Sequence, residues 1–445
     1  MTKRWLKEDA TVASALALAG AIRTKEISVV EAVEAYLARI ATVNPRLNAI
    51  VQQSDTVLAE ARAADDALAR NAKVGPLHGV PFTVKDWIET VGLICAAGHE
   101  ARRTYVPKRD ATVVSRMRAA GAILLGKTKP GATADVYPAP RNPYDLARTT
   151  GGSSSGEAAL IAACGSPLGL GSDSGGSIRW PAHCCGVAGL KPTNGRVPNT
   201  GHVPPIAALA DPRTVIGPLA RSVDDLALTL PVIAGMDWHD ASVVPMHLSD
   251  PASVDMRSLA IAHFTEFPGA NAAADVTATV AAVVEVLAQA GASTCAATPP
   301  RIDESLGITR AYWSRPESIS LKTWRPDKAS RLSADDIERS LFEWDRLRRA
   351  FLEFMADVDV IVCPVAGSAA PAAGDYTEAD YLYTLPFSLT GYPCVVVRAG
   401  TSRDGLPIGV QIVARPWCDH VALACGRIVE RALGGWRPAP IEMQQ

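Results

Sequence analysis

The chain has 445 residues, of which 48 % are apolar and 20 % charged, with a formal net charge of −2. Such a chain buries a large core without disulfide staples, and with no dense basic run it offers little to nucleic acid. No apolar run reaches the ~18 residues that would span a membrane.

The nine cysteines are odd in number and show neither C-x-x-C nor metal-finger spacing. Cys164, Cys363 and Cys425 sit in apolar stretches, so they read as reduced core thiols of a cytoplasmic protein. His183-Cys184-Cys185 has metal-binding residue types but no second cluster to complete a site, and no metal is predicted.

At the N-terminus, Lys3 and Arg4 precede an apolar stretch over 12–22. Glu8 and Asp9 intervene, and alanine replaces the leucine of a signal peptide, so an amphipathic helix is predicted rather than a leader. Residues 12–43 predict two helices divided around Ile27-Ser28-Val29-Val30, with Ser28 capping the second. The alanine-rich stretch 55–71 predicts another helix, 79–84 a β-branched and aromatic strand, 111–120 a helix and 122–126 a short buried strand. This alternation argues for an α/β fold.

Further on, 156–164 predicts a helix and 168–171 a strand, followed by a Gly175-Gly176 turn into a helical segment. Ser222 is the expected N-cap of a helix over 223–233, with Pro231 kinking or ending it. A strand is predicted over 258–263 and a helix over 276–290, and 301–355 reads as mostly helical. Late strands are predicted over 357–364, 394–398 and 409–414. With no internal repeat or low-complexity linker, 1–445 is expected to be one domain. Residues from about 236 to 350 are the weakest in pattern and are expected to form a variable helical region, an insertion over the core.

Two segments carry chemistry. A serine hydroxyl attacks only when a base takes its proton. A lysine can do so if neutral, and burial lowers its usual pKa of ~10.4 by several units. Val80, Phe82 and Val84 suggest apolar surroundings for Lys85. Strand alternation sets Lys85 beside Thr83 and turns Asp86 to the other face, weakening a direct pairing. An ordinary exposed strand end is the competing reading of Lys85.

In Gly169-Leu-Gly-Ser-Asp-Ser-Gly-Gly-Ser177, the two glycines before Ser177 permit a tight backbone. The N–H groups of Ser174 through Ser177 can then converge on one spot, as an oxyanion requires, at ~3 kcal/mol per donor. A phosphate-cradling loop is the alternative, but the spacing matches neither G-x-G-x-x-G nor a P-loop. Gly152-Ser-Ser-Ser-Gly156 matches G-x-S-x-G, yet a nucleophile elbow needs a strand directly before it. A polar, proline-containing loop precedes it here, and nothing marks His202, His239, His247, His263 or His420 as a catalytic partner.

The segments GVPFTVKD, GGSSSGEAAL and GSDSGGSIRWPAHCCGVAGLKPT resemble the amidase signature family. The early ISVVEAVEAYLARIATVNPRLNA and the later residues 386–393 and 406–411 are similar to it too, so the resemblance runs through nearly the whole chain. It implies an α/β fold with a central mixed, twisted sheet covered by helices on both faces. It implies Lys85 as base, Ser153 on a cis peptide as proton relay, and Ser177 as the acylated nucleophile. Ser174, Gly175, Gly176 and Ser177 would form the oxyanion hole, with Asp173 and Arg179 supporting the loop. Ser155 stands where a glycine is common in the family.

No metal or organic cofactor is implied, and the partners are a small-molecule substrate and water. The resemblance suggests hydrolysis of a small or aromatic amide, in the manner of an aryl acylamidase. Carbamate (urethane) or ester hydrolysis by the same triad is an alternative, as is the glutaminase subunit of a tRNA-dependent amidotransferase. Tyr137, Trp313, Trp324 and Tyr392 are candidate pocket aromatics, with core packing as the competing reading. The 236–350 region is expected to contribute to that pocket. A monomer or homodimer without a membrane anchor is expected.

Overall fold

The computed structural model describes residues 7–131, 135–206 and 211–441. Among these residues one mixed sheet has eleven strands. They are β1 (Ile50–Gln53), β2 (Pro81–Lys85), β3 (Ile123–Thr128), β4 (Leu168–Asp173), β5 (Ala188–Lys191) and β6 (Val215–Ala220). The remaining five are β7 (Ala260–His263), β8 (Ser293–Ala296), β9 (Val360–Pro364), β10 (Cys394–Thr401) and β11 (Pro407–Ala414). The spatial order is β1-β3-β2-β4-β6-β5-β10-β11-β9-β7-β8. β2 runs parallel to both β3 and β4, and β7 parallel to β8 and β9; the other pairings are antiparallel.

Every residue of β2, β3 and β4 is buried, as expected of strands covered on both faces. Alternation sends Leu124 into one apolar core and Leu125 into the other, and likewise separates Ile216 from Leu219. Helices Thr112–Ala119, Val223–Ile233, Ala274–Gln289 and Asp419–Leu433 cover the first face, while Val29–Leu47, Val57–Ala69, Ser155–Ala162 and Arg179–Cys185 cover the second. The α/β architecture of the sequence reading is therefore the architecture found.

Local signals account for several boundaries. Ser28 closes a full capping box with Glu31 at the start of Val29–Leu47. Ser222 accepts the Asp225 N–H, and its helix ends at Ile233, two residues after Pro231. The triplet His183-Cys184-Cys185 is buried. His183 Nδ1 accepts the Gly409 N–H, and its Nε2–H donates to the Ser368 carbonyl. This histidine ties the helix Arg179–Cys185 to the edge of the C-terminal hairpin. Among the described residues no helix is long and apolar enough to cross a membrane.

One expectation about the later chain holds and one needs correction. Residues 301–355 are mostly helical as expected, in helices Ser305–Trp313 and Ala334–Phe354 with a long irregular stretch between them. The 236–350 region is not a purely helical insertion over the core, because it supplies β7 and β8 to the sheet itself. β8 was hidden because all four of its residues are exposed, leaving no apolar alternation to read. β6 was hidden for the opposite reason. Its Pro218 argues against a central strand, yet it lies between β4 and β5, with Pro218 opposite Leu170.

Candidate active site

The site forms where the C-terminal ends of β2 and β4 meet two glycine-bearing loops. Lys85 is the last residue of β2, opposite Thr128 of β3, and is fully buried. The exposed-strand-end reading is thereby excluded. Burial lowers its pKa to about 7, against the opposing pull of Asp173 and Glu157. Its Nζ lies 2.6 Å from Ser153 Oγ, 3.1 Å from Ser172 Oγ and 4.1 Å from the centre of the Trp87 ring. Asp86, on the other face as alternation required, accepts the Ala97 N–H at 2.9 Å and sits 3.9 Å from Lys127 Nζ.

Ser153 follows a cis peptide bond from Gly152. The next residue binds the two serine loops together, as Ser154 N–H donates to the Ser177 carbonyl at 3.0 Å. Ser155 opens the helix Ser155–Ala162, and its hydroxyl donates to the Gly151 carbonyl at 2.6 Å. A side chain here is therefore accommodated with its polar atom satisfied. Ser154, the central serine of the G-x-S-x-G match, is buried and follows a loop rather than a strand. The elbow is absent, as its context predicted.

The loop after β4 is braced by a buried ion pair. Arg179 Nε and Nη2 each lie 2.9 Å from an Asp173 carboxylate oxygen. Arg179 also donates to the Thr384 carbonyl and to Ser388 Oγ, fastening the loop to the C-terminal segment. Burial alone would raise the Asp173 pKa, but Arg179 outweighs it and holds the carboxyl at about 2. Arg179→Met is expected to cost ~3–5 kcal/mol by stranding a buried carboxylate, read as a drop in thermal unfolding temperature at neutral pH. Because the Asp173 pKa is depressed below its usual 3.8, the stabilisation is present above that value. It fades as pH falls toward 2.

Gly176 is required twice over. Its φ is +127°, and a Cβ there would collide with Thr384 Oγ1, a hydroxyl already donating to the Gly175 carbonyl. Gly176→Ala is expected to displace this loop and cost a few kcal/mol, measurable by chemical denaturation. The Gly176 N–H donates to Asp173 Oδ1 at 2.8 Å. That corrects the expected four-donor cradle: the residues facing the cavity are Ser174, Gly175 and Ser177. Gly176 shapes the loop through Asp173.

The cavity over these residues has a volume of about 730 Å³. Ser153, Ser177, Trp313 and the tyrosines Tyr376 and Tyr381 line it. Leu306, Trp313 and Glu317 of the 236–350 region form part of its wall. The other three candidate aromatics lie elsewhere. Tyr392 is buried in a core that also holds Trp344, Trp324 is exposed beside a separate surface hollow, and Tyr137 is outside the lining. Packing decided these positions, and single aromatics carry no local signal for it.

Sequence reasoning missed Ser172, His202 and Trp87. His202 Nδ1 faces the Pro204 carbonyl at 2.9 Å, so that nitrogen carries the proton. Burial lowers the His202 pKa to about 4, leaving Nε2 as an acceptor, and Ser172 Oγ donates to it at 3.0 Å. Ser172 can then only accept from Lys85 Nζ. One amine hydrogen is thus held away from Ser153, and the nitrogen lone pair is free to face it. Trp87, two residues after Lys85, was legible from adjacency; His202 lies far along the chain.

A family model described as Amidase matches residues 31–321 and 315–423. A glutamyl-tRNA(Gln) amidotransferase subunit of Roseiflexus castenholzii is 34 % identical, over 91 % of this chain and 93 % of its own length. Among solved structures, 6-aminohexanoate cyclic dimer hydrolase has a TM-score of 0.82 at 27 % identity, covering 97 % of this chain and 99 % of that one. The peptide amidase of Stenotrophomonas maltophilia also has a TM-score of 0.82, at 25 % identity, with the same shares covered. This chain belongs to the amidase signature family of enzymes that hydrolyse amide C–N bonds.

Proposed function

We propose that the enzyme hydrolyses small or aromatic amides through an acyl-enzyme on Ser177, with Ser153 as proton relay and Lys85 as base. The observation that carries this reading is a fully buried lysine, its pKa lowered to about 7, set 2.6 Å from Ser153 Oγ. Neutral Lys85 draws the Ser153 proton as Ser153 draws that of Ser177. Ser177 Oγ attacks the carbonyl, and the main-chain N–H groups of Gly175 and Ser177 stabilise the oxyanion. Ser153 then returns a proton to the leaving nitrogen, and water repeats the sequence on the ester. The aromatic wall of Trp313, Tyr376 and Tyr381 suits an aryl or bulky apolar group.

The test is a panel of anilide, primary amide, carbamate, ester and glutamine substrates. Turnover of the anilide or primary amide above the others is expected. Faster carbamate or ester turnover would redirect the substrate assignment within the same machinery. A second reading, a glutaminase subunit, draws on the likeness to the Roseiflexus amidotransferase chain. Efficient glutamine hydrolysis together with copurification of a second subunit would favour it.

The hydrogen-bond order around Lys85 yields a separate expectation. His202→Leu frees the Ser172 hydroxyl to donate into the lysine lone pair in competition with Ser153. A roughly tenfold fall in kcat with little change in KM is expected. His202→Gln, whose amide oxygen can accept from Ser172, should recover most of it.

A further inference from the structure

We propose that Trp87 is a positioning residue of the reaction: the face of its indole stabilises the ammonium that Lys85 becomes on taking the Ser153 proton, and so strengthens Lys85 as a base. This rests on the reading of Lys85, Ser153 and Ser177 given above and adds to it what sets the strength of the base.

Lys85 Nζ lies over the Trp87 ring, 4.1 Å from its centre. The negative face of an aromatic ring attracts a cation at such a distance, most strongly where water is excluded. Lys85 is fully buried. The ring itself is fixed. Trp87 Nε1–H donates to the Ala97 carbonyl at 3.1 Å, and the His202 ring meets the indole edge to face, with centroids 6.1 Å apart and planes at 80°. The indole also packs against the buried cluster of Cys95, Ala97 and Val203. These contacts hold its plane beside the amine.

The other groups around Lys85 leave this role open. Ser153 and Ser172, whose hydroxyls are hydrogen-bonded to Nζ, bring no net charge. Asp173 and Glu157 also favour the ammonium, but each is engaged elsewhere, Asp173 by Arg179 and Glu157 by the hydroxyls of Thr83 and Thr128. Asp86 turns away to the Ala97 N–H and Lys127. Burial lowers the His202 pKa to about 4, so that ring is neutral near neutrality. A carboxylate bonded directly to Nζ would hold the amine protonated and unable to act. The weaker pull of a ring offsets part of the desolvation and leaves a base poised near the working pH.

In the forward step Ser177 Oγ bonds to the acyl carbon as its proton passes to Ser153 Oγ, and the Ser153 proton passes to the Lys85 lone pair. The positive charge that appears on Nζ therefore appears beside the indole.

The test follows labelling of Ser177 by phenylmethanesulfonyl fluoride in the full-length chain, read by intact mass from mildly acidic to alkaline pH. Ser177 Oγ bonds to sulfur and fluoride leaves without needing a proton, so the rate reports the base rather than the acid. Trp87→Leu is expected to move the midpoint of the rising limb about one unit to lower pH. Trp87→Phe, which retains a ring face, should fall between that variant and the wild type. The same displacement is expected in a Glu157→Gln background, where that carboxyl no longer titrates. A midpoint does not depend on the fraction of folded enzyme, so a partly unfolded variant does not mimic the shift. If Trp87 served only to exclude water, its loss would hydrate the amine and move the midpoint upward. An upward shift in Trp87→Leu, or an unchanged midpoint, would overturn the proposal. Failure of the underlying reading shows separately, as wild-type labelling rates in Lys85→Met or an adduct on a residue other than Ser177.

Discussion

Replacing Ser177 with alanine is expected to reduce kcat by about 10⁴-fold or more, at any substrate for which the wild-type enzyme has activity. The size follows from the role. Removing a nucleophile deletes the covalent route altogether, and what remains is binding and the pull of the donor turn. The fold should tolerate the change. The Ser177 contribution to the loop is its carbonyl, which accepts the Ser154 N–H, and alanine retains that carbonyl. Stopped assays with purified protein, and mass spectrometry for an acyl adduct on the wild type, are the measurements. Wild-type rates in the variant, or an adduct on Ser154 instead, would remove Ser177 from the mechanism.

The rate is expected to climb with pH and level off above about 7. Lys85 acts as a base only when neutral, and burial places its pKa at about 7. Below that value the neutral fraction, and with it kcat/KM, should fall roughly tenfold per pH unit. Lys85→Met should lose about 10³-fold or more and flatten the profile. Lys85→Arg should do no better, since a guanidinium stays charged. A second group complicates the same window. Glu157 is buried, which raises its pKa to about 7 against the hydroxyls of Thr128 and Thr83.

Glu157→Gln separates the two. It removes one titration and also the pull of Glu157 that keeps Lys85 protonated. The rising limb should therefore persist and move to lower pH. Disappearance of the limb in Glu157→Gln, with Lys85 intact, would assign the titration to the carboxyl and refute the lysine base. His202 does not confuse this window, because burial lowers its pKa to about 4.

Legibility followed the range over which each feature is encoded. The helix over Val29–Leu47 was readable because cap and apolar stripe lie together in the chain. The strands β2, β3 and β4 were readable because each opens on large apolar residues, Phe82, Ile123-Leu124-Leu125, and Leu168 with Leu170. β5 and β6 were not read, since short strands rich in glycine or proline look like loops until neighbours pair with them. Among the pocket aromatics, Trp313 reached the cavity while Trp324, eleven positions on, faces solvent. Nothing local distinguishes those two tryptophans.

The amino-acid sequence alone determined the family, the α/β class and the identity of Lys85, Ser153 and Ser177 as the residues to examine. These depend on contiguous motifs, in which chemistry and turn geometry are written side by side. Only the tertiary structure decided that Lys85 is sealed from water and that the Gly176 N–H turns to Asp173. It also decided that Ser172 and His202 stand in line beside the Lys85 amine. Each of these depends on groups brought within a few ångströms from distant parts of the chain. Desolvation and hydrogen-bond direction exist only once those groups have met.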